Sequence, residues 1–276
     1  MCKTLNQAIT DHAGGQAAAL LRHTSENGIQ SWSDCTKAKL ADFRDFLADR
    51  VAPSSARTYI AVFKAILGRY EDEGVIPCKD FRDVLHAKGD KPVKTYLSVD
   101  ELNELEKVPT RNQNELFVLR SFLVGAFTGM RVSDTREVTD ENIVNGYLHY
   151  VSIKTGIHAT IPCNERIAGY IHWLRENDSA MTLKAYNAII RRLCKRAGID
   201  EKVKVRHGGV DEVKAKWECV SSHTARISFA TNLSIAGLPL VELSRLCGHT
   251  NTSVTEGYIA SHAVMLPASA LAYLNS

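Results

Sequence analysis

The sequence predicts a mainly α-helical protein with small β-hairpins, divided into two domains. Three observations point there. The chain has 276 residues, more than one hydrophobic core usually supports. Apolar side chains recur at three- and four-residue spacing through most of it. A polar stretch with Gly and Pro but no periodicity, HAKGDKPVKT at 86–95, interrupts that pattern. The expected division is a helical domain at 1–86, a linker at 87–95 and a larger mixed domain at 96–276.

The first ninety residues read as helices. SWSDCTKAKLADFRDFLADRV places Leu40, Phe43, Phe46 and Leu47 on one face. APSSARTYIAVFKAILGRYEDEGVI repeats the device with Tyr59, Val62, Phe63, Ile66, Leu67 and Tyr70, Ser54 or Ser55 being the expected start and Gly74 the expected stop. In the second domain, Ser98 and Glu101 have capping-box spacing. The apolar helix through LFVLRSFLVGAF breaks at Thr128-Gly129. Alternating β-branched runs on either side of Lys154-Thr155-Gly156 predict a hairpin. Helices resume with ERIAGYIHWLREN and TLKAYNAIIRRLCKRAG, and a second hairpin is expected in KVKVRHGGVDEVKAKWECV, turned at Gly208-Gly209. No internal repeat or low-complexity tract interrupts the chain.

Composition narrows the class. Apolar content of 45% and charged content of 24% fit an ordered globular protein. No run approaches the roughly eighteen apolar residues of a membrane span, and MCKTLNQAITDHAGG does not read as a secretion signal. The cytoplasm is the expected compartment, without a membrane partner. Seven scattered cysteines, never spaced CxxC, argue for buried thiols over disulfides or a zinc site. Net charge is only +3, but Lys184 to Lys216 holds ten Lys or Arg against four Asp or Glu. That stretch is either a solvated surface or the footprint of a polyanion.

The last helices carry the chemistry. In SSHTAR, with Ser222 as cap, His223 and Arg226 share a face of the first helical turn, where backbone N–H groups and the helix dipole suit a phosphate. Gly248 is a natural left-handed stop that exposes His249. Ser253 and Glu256 have the spacing to open a further short helix, with Gly257 and Tyr258 in its first turns. Taken singly, Arg131 also fits a helix-end cation, Lys154 a surface lysine, His249 a satisfied helix-end histidine and Tyr258 one of nine tyrosines. His149, His158, His207 and His262 have no ligand spacing.

The ordered set resembles the tyrosine recombinase, or phage integrase, family. The matching fragments are TGMRVSD with Arg131 and Asp134, IKTG with Lys154, HTAR with His223 and Arg226, CGH with His249, and Tyr258 nine residues later. Two departures stand out: Thr255-Glu256 precedes Gly257-Tyr258, and Ile227 follows the HTAR arginine where a second basic residue is common. Both bear on DNA contacts more than on the six catalytic positions. The resemblance implies an N-terminal helical, SAM-like core-binding domain and a C-terminal mixed α/β catalytic domain that clamp duplex DNA. It implies strand cleavage and rejoining through a 3′-phosphotyrosine, with no cofactor, metal or ATP.

In those roles Tyr258 is the nucleophile and His223 its base, because a phenol with pKa near 10 must shed its proton. Arg131 and Arg226 fork onto the nonbridging oxygens. Lys154 protonates the departing 5′-oxygen, His249 hydrogen-bonds the phosphate and Asp134 orients its basic neighbours. The basic stretch then supplies backbone contacts through Arg191, Arg192, Lys195, Arg196, Lys202, Lys204 and Arg206. In the first domain Arg57, Thr58, Tyr59 and Lys64 begin the helix expected to lie against a groove. The implied assembly is a homotetramer on two double-stranded DNA sites, with accessory DNA-bending or directionality factors as further partners. The tail, with Leu266, Leu271 and Leu274, packs either on its own domain or on a neighbouring protomer. A type IB topoisomerase-like enzyme and a non-cutting DNA-architectural factor are the competing readings.

Overall fold

The computed structural model describes residues 3–86, 94–207, 210–248, 251–257 and 259, with only the backbone of 206–207 and 210–211. The chain divides into two compact units, residues 1–92 with 206–211 and residues 93–205 with 212–276. It is mostly helical with small antiparallel sheets. No described helix is long and apolar enough to cross a membrane.

The first unit contains α1 (Leu5–His12), α2 (Ala17–Glu26), α3 (Lys37–Arg50), α4 (Pro53–Arg69) and the single turn α5 (Phe81–Val84). Thr4 opens α1 with a capping box closed by Gln7, and Thr36 caps α3. The expected apolar faces meet inside: Leu40, Phe43 and Leu47 of α3 face Ile60, Phe63 and Leu67 of α4 in one core. The Phe43 and Phe63 rings cross edge to face at 5.3 Å. The start of α4 differs from expectation. Pro53 occupies the first helical position behind Ala52, so Ser54 and Ser55 lie within the helix. Proline lacks the N–H that would be orphaned there, and this outweighs a serine cap. The helix also ends at Arg69, leaving Gly74 to a later turn.

In the second unit, α6 (Val99–Glu106) begins with the expected Ser98–Glu101 box, at 3.2 Å and 2.7 Å for its two bonds. α7 (Gln113–Thr128) is buried along nearly its whole length and stops at Gly129, whose φ of 71° is left-handed. Strands β1 (Ile143–Val144), β2 (Tyr147–Val151) and β3 (His158–Pro162) form an antiparallel sheet. Its pairing of Leu148 with Ile161 and Tyr150 with Ala159 turns those side chains inward. The turn between β2 and β3 carries Lys154, as expected.

Helices α8 (Glu165–Glu176) and α9 (Leu183–Arg196) follow, then the pair β4 (Lys202–His207) and β5 (Val210–Ala215). The expected turn at Gly208-Gly209 lies outside the described residues. The chain continues with α10 (Ser222–Ile235), α11 (Leu240–Leu246) and α12 (Thr252–Glu256). Two expected caps shift here. Ser221, not Ser222, precedes α10, and the Ser222 N–H donates to Asn187 Oδ1 at 2.8 Å. Asn251 caps α12 by accepting from the Val254 N–H, while Ser253 lies inside the helix and donates to Asn251. In both cases the residue one or two positions earlier has the extended backbone a cap needs.

Candidate active site and nucleic-acid interface

α10 is seated directly on α7. Gly125 leaves the space: a Cβ there would stand 3.2 Å from that of Ala225. This contact puts Arg226 beneath the end of α7, where its side chain is fully buried. Burying a charge is costly unless it is hydrogen-bonded. Arg226 donates from Nη1 to the Gly129 carbonyl at 2.6 Å and from Nη2 to the Cys247 carbonyl at 2.5 Å. Gly129 caps α7 and Cys247 caps α11, so the guanidinium holds the negative ends of two helix dipoles. Gly248, with φ of 58°, ends that second helix as expected.

Arg131 follows the α7 cap by two residues. Its Nη1 donates to Ser152 Oγ at 2.8 Å and lies 3.9 Å from Asp134 Oδ2. Asp134 is 1% exposed and accepts from the Ile153 N–H at 3.2 Å and from Ser152 Oγ at 3.4 Å. The carboxylate therefore ties the arginine to the strand end that leads into the Lys154 turn. That turn is closed by the Ser152 N–H donating to Ile157 and the Gly156 N–H to Ser152, which leaves Lys154 exposed at its tip.

His223 opens the first turn of α10. Desolvation of its ring, then the charges of Arg226, Lys94, Arg131 and Lys154, push its pKa down to about 4. Four cations, three of them carried by other segments of the chain, thus act on one imidazole and keep it neutral at pH 7. Of the six expected catalytic residues, Arg131, Lys154, His223 and Arg226 are brought into this corner. His249 and Tyr258 lie outside the described residues, as does the tail with Leu266, Leu271 and Leu274. Among the described residues no cluster of His, Cys, Asp or Glu is arranged to hold a metal. Every described cysteine except Cys219 is buried.

Three residues of this corner escape local sequence reading. Ser152 is a buried polar residue on the inward face that Leu148 and Tyr150 begin, and this break in the alternation is its signal. Tyr150 sits within the field of Arg226, Asp134 and Arg131, and burial pushes its phenol up to about 12. Its hydroxyl has no hydrogen-bond partner among the described residues. Lys94, assigned above to the linker, belongs to the second unit and nothing in its neighbourhood along the chain marks it. Ile227 is buried, which accounts for an apolar residue after the arginine.

The expected DNA-facing residues separate. Arg57, Arg191, Arg192, Lys195 and Lys204 are exposed, while Lys64 is half-buried and donates to the Arg82 carbonyl. Arg191 also donates to the Val220 carbonyl, and Lys195 lies over the Trp217 ring. The Arg206 side chain lies outside what is described. Arg196 is a correction: it is paired at 2.7 Å with Glu115, a buried carboxylate whose pKa is lowered chiefly by that arginine. The guanidinium answers an internal charge, so it does not serve as a surface cation.

Residues 95–264 match the Phage integrase family. The tyrosine recombinase XerC of Roseiflexus sp. (strain RS-1) is 22% identical over 249 residues, covering 85% of this chain and 77% of that protein. The Tn1549 transposon integrase in complex with a circular intermediate DNA superposes with a TM-score of 0.69 at 16% identity, covering 99% of both chains. A lambda integrase in a tetramer bound to a Holliday junction superposes with a TM-score of 0.64 at 15% identity, covering 96% of this chain and 79% of that one.

Proposed function

The chain belongs to the phage integrase family, and on that premise we propose that it is a tyrosine-type, site-specific DNA recombinase that cuts and rejoins duplex DNA through a 3′-phosphotyrosine. The observation that supports the reading is the grouping of Arg226, Arg131 and Lys154 around His223, with both guanidiniums held by hydrogen bonds. A phosphodiester under attack gathers negative charge on its nonbridging oxygens, and preorganised cations stabilise that charge without having to reorganise.

Tyr258 attacks phosphorus, forming the Oη–P bond as the P–O5′ bond breaks. His223 takes the phenol proton and Lys154 supplies one to the 5′-oxygen. Arg131 and Arg226 meet the nonbridging oxygens, each held by main-chain or serine partners that fix its fork. Asp134 orients Arg131, and His249 adds a donor to the phosphate. Because the tyrosyl linkage keeps the bond energy, rejoining needs no ATP, and the protein cations supply the charge that a metal would otherwise bring. The reverse attack by a 5′-hydroxyl restores the phosphodiester.

Within this reading the residues before 87 form the core-binding domain, 87–95 the linker and 96–276 the catalytic domain. Arg57 and Lys64 in the first, with Arg191, Arg192, Lys195, Lys204 and Arg206 in the second, meet the DNA backbone. The lambda integrase tetramer on a Holliday junction supports a homotetramer on two sites. Accessory bending or directionality factors, a place on the nucleoid and a tail that docks on a neighbour belong to the same proposal.

Covalent trapping tests it. The protein and its Tyr258→Phe variant are incubated in chelator with nicked duplexes that cannot be rejoined. A denaturant-resistant adduct that requires Tyr258 is expected, and sequencing its DNA end identifies the site. Binding without any adduct would favour a non-cutting architectural factor. Relaxation of supercoils on DNA of any sequence would favour the topoisomerase-like reading.

A further inference from the structure

We infer that Lys94, placed by the segment that leads into α6, is an additional catalytic cation that contacts the scissile phosphate beside Gly257; the inference rests on the recombinase reading above. The segment is fastened to the catalytic helix. Leu97 is fully buried, its N–H donates to Ser228 Oγ at 2.9 Å, and its carbonyl accepts from Asn232 at 3.0 Å. Both partners are on α10. Three residues back along an extended chain is about 10 Å, and from Ser228 to His223 along a helix is about 7.5 Å, so Lys94 is carried to the level of the first turn.

Two further observations agree. The Lys94 Nζ lies 4.0 Å from the position a Cβ on Gly257 would take, next to the residue that follows it, Tyr258. Its charge also acts on the His223 ring ahead of those of Arg131 and Lys154. The amine is half-desolvated, which lowers its own pKa and strengthens its attraction for an anion. It lines a cavity of about 380 Å³ with Lys202, Lys204 and Lys216. Glu201 also lines it, and Glu101 and Glu201 lie 2.7 Å and 3.5 Å from the Lys216 amine.

The step it serves is the one already balanced: Oη–P forms, P–O5′ breaks, and charge accumulates on the nonbridging oxygens in between. Lys94 would carry part of that charge. Its contribution is therefore to the rate of cleavage rather than to binding of the duplex, which many other cations share.

Single-turnover cleavage of the nicked duplex, identified by adduct sequencing, tests this with Lys94→Ala and Lys94→Arg. The Ala variant is expected to bind within about threefold of the parent but to cleave about 100-fold more slowly, the low end for loss of one charge stabiliser. The Arg variant recovers most of the rate. With the scissile phosphate replaced by an uncharged methylphosphonate, parent and Ala variant should cleave alike. Parental rates for the Ala variant, or the same deficit on the methylphosphonate, would overturn the assignment. Failure of the parent itself to form an adduct would instead remove the recombinase reading, and the two failures are told apart by that control.

Discussion

The Arg226 guanidinium donates a 2.6 Å hydrogen bond to the Gly129 carbonyl, so a proposed catalytic cation is aimed by the residue that stops the buried helix α7. Gly129 has no substitute there. Its φ of 71° disfavours any L side chain, and a Cβ would stand 2.6 Å from Phe229 Cδ1. Gly129→Ala should cost about 2–4 kcal/mol, the sum of left-handed strain and overpacking. Gly146→Ala, at φ 77° but in open space, should cost only the first part, about 1–2 kcal/mol. Denaturant midpoints of the two variants check this, and equal losses would refute the role of Phe229.

Ser152 connects Arg131 to Asp134 at 2.8 Å and 3.4 Å. Ser152→Ala leaves the arginine charged but loosens its aim. Cleavage is expected to slow by about tenfold or more while DNA affinity stays within about threefold, since misplacing a stabiliser costs rate before binding. Single-turnover rates and equilibrium binding on one duplex decide the matter. A proportional loss of both would mean that Ser152 supports the fold instead.

His223 provides the pH signature. Its folded pKa, about 4, lies below the ordinary histidine value near 6.5. Between those values the unfolded chain holds more protons, so the site loses stability as pH falls from about 6.5 to about 4, and regains it on return to neutrality. The denaturant midpoint of the parent should therefore fall more steeply over this window than that of His223→Gln. Parallel curves would contradict the depressed pKa. Titration of the His223 ring by NMR in the free protein, expected near pH 4, checks the value directly.

Arg192 and Arg196 lie four residues apart on α9 and should behave oppositely. Arg192 is exposed, and its replacement by Ala should reduce the salt dependence of DNA binding by about one phosphate contact without affecting stability. Arg196→Ala strands the Glu115 carboxylate and should cost about 3 kcal/mol, the low end for breaking a buried pair, with the salt slope unchanged. Binding isotherms across a salt series, with thermal melts alongside, separate the two.

Local signals in the sequence were the legible ones. The Ser98–Glu101 box, the break at Gly129 and the hairpin around Lys154 depend on neighbours within a few residues, and they appear where spacing places them. The start of α4 was displaced because proline at the first helical position competes with the serines after it. Arg196 counts as one more surface cation in the sequence because a tally of charges along one helix cannot see Glu115, 81 residues earlier. The supports of the site were hidden for the same reason: the carbonyls that hold Arg226 are main-chain groups and carry no residue signature. Ser152 alone left a trace, as a polar position on an inward strand face.

The two carbonyls that grip Arg226 lie 97 and 21 residues away along the chain. Forming both contacts closes two loops of the chain, whose entropy the finished fold must offset. A partly opened chain that loses these two contacts keeps its proposed nucleophile but leaves the arginine unaimed. Because that arginine is fully buried, its aim is tied to the stability of the whole unit and not to the local order of a surface loop.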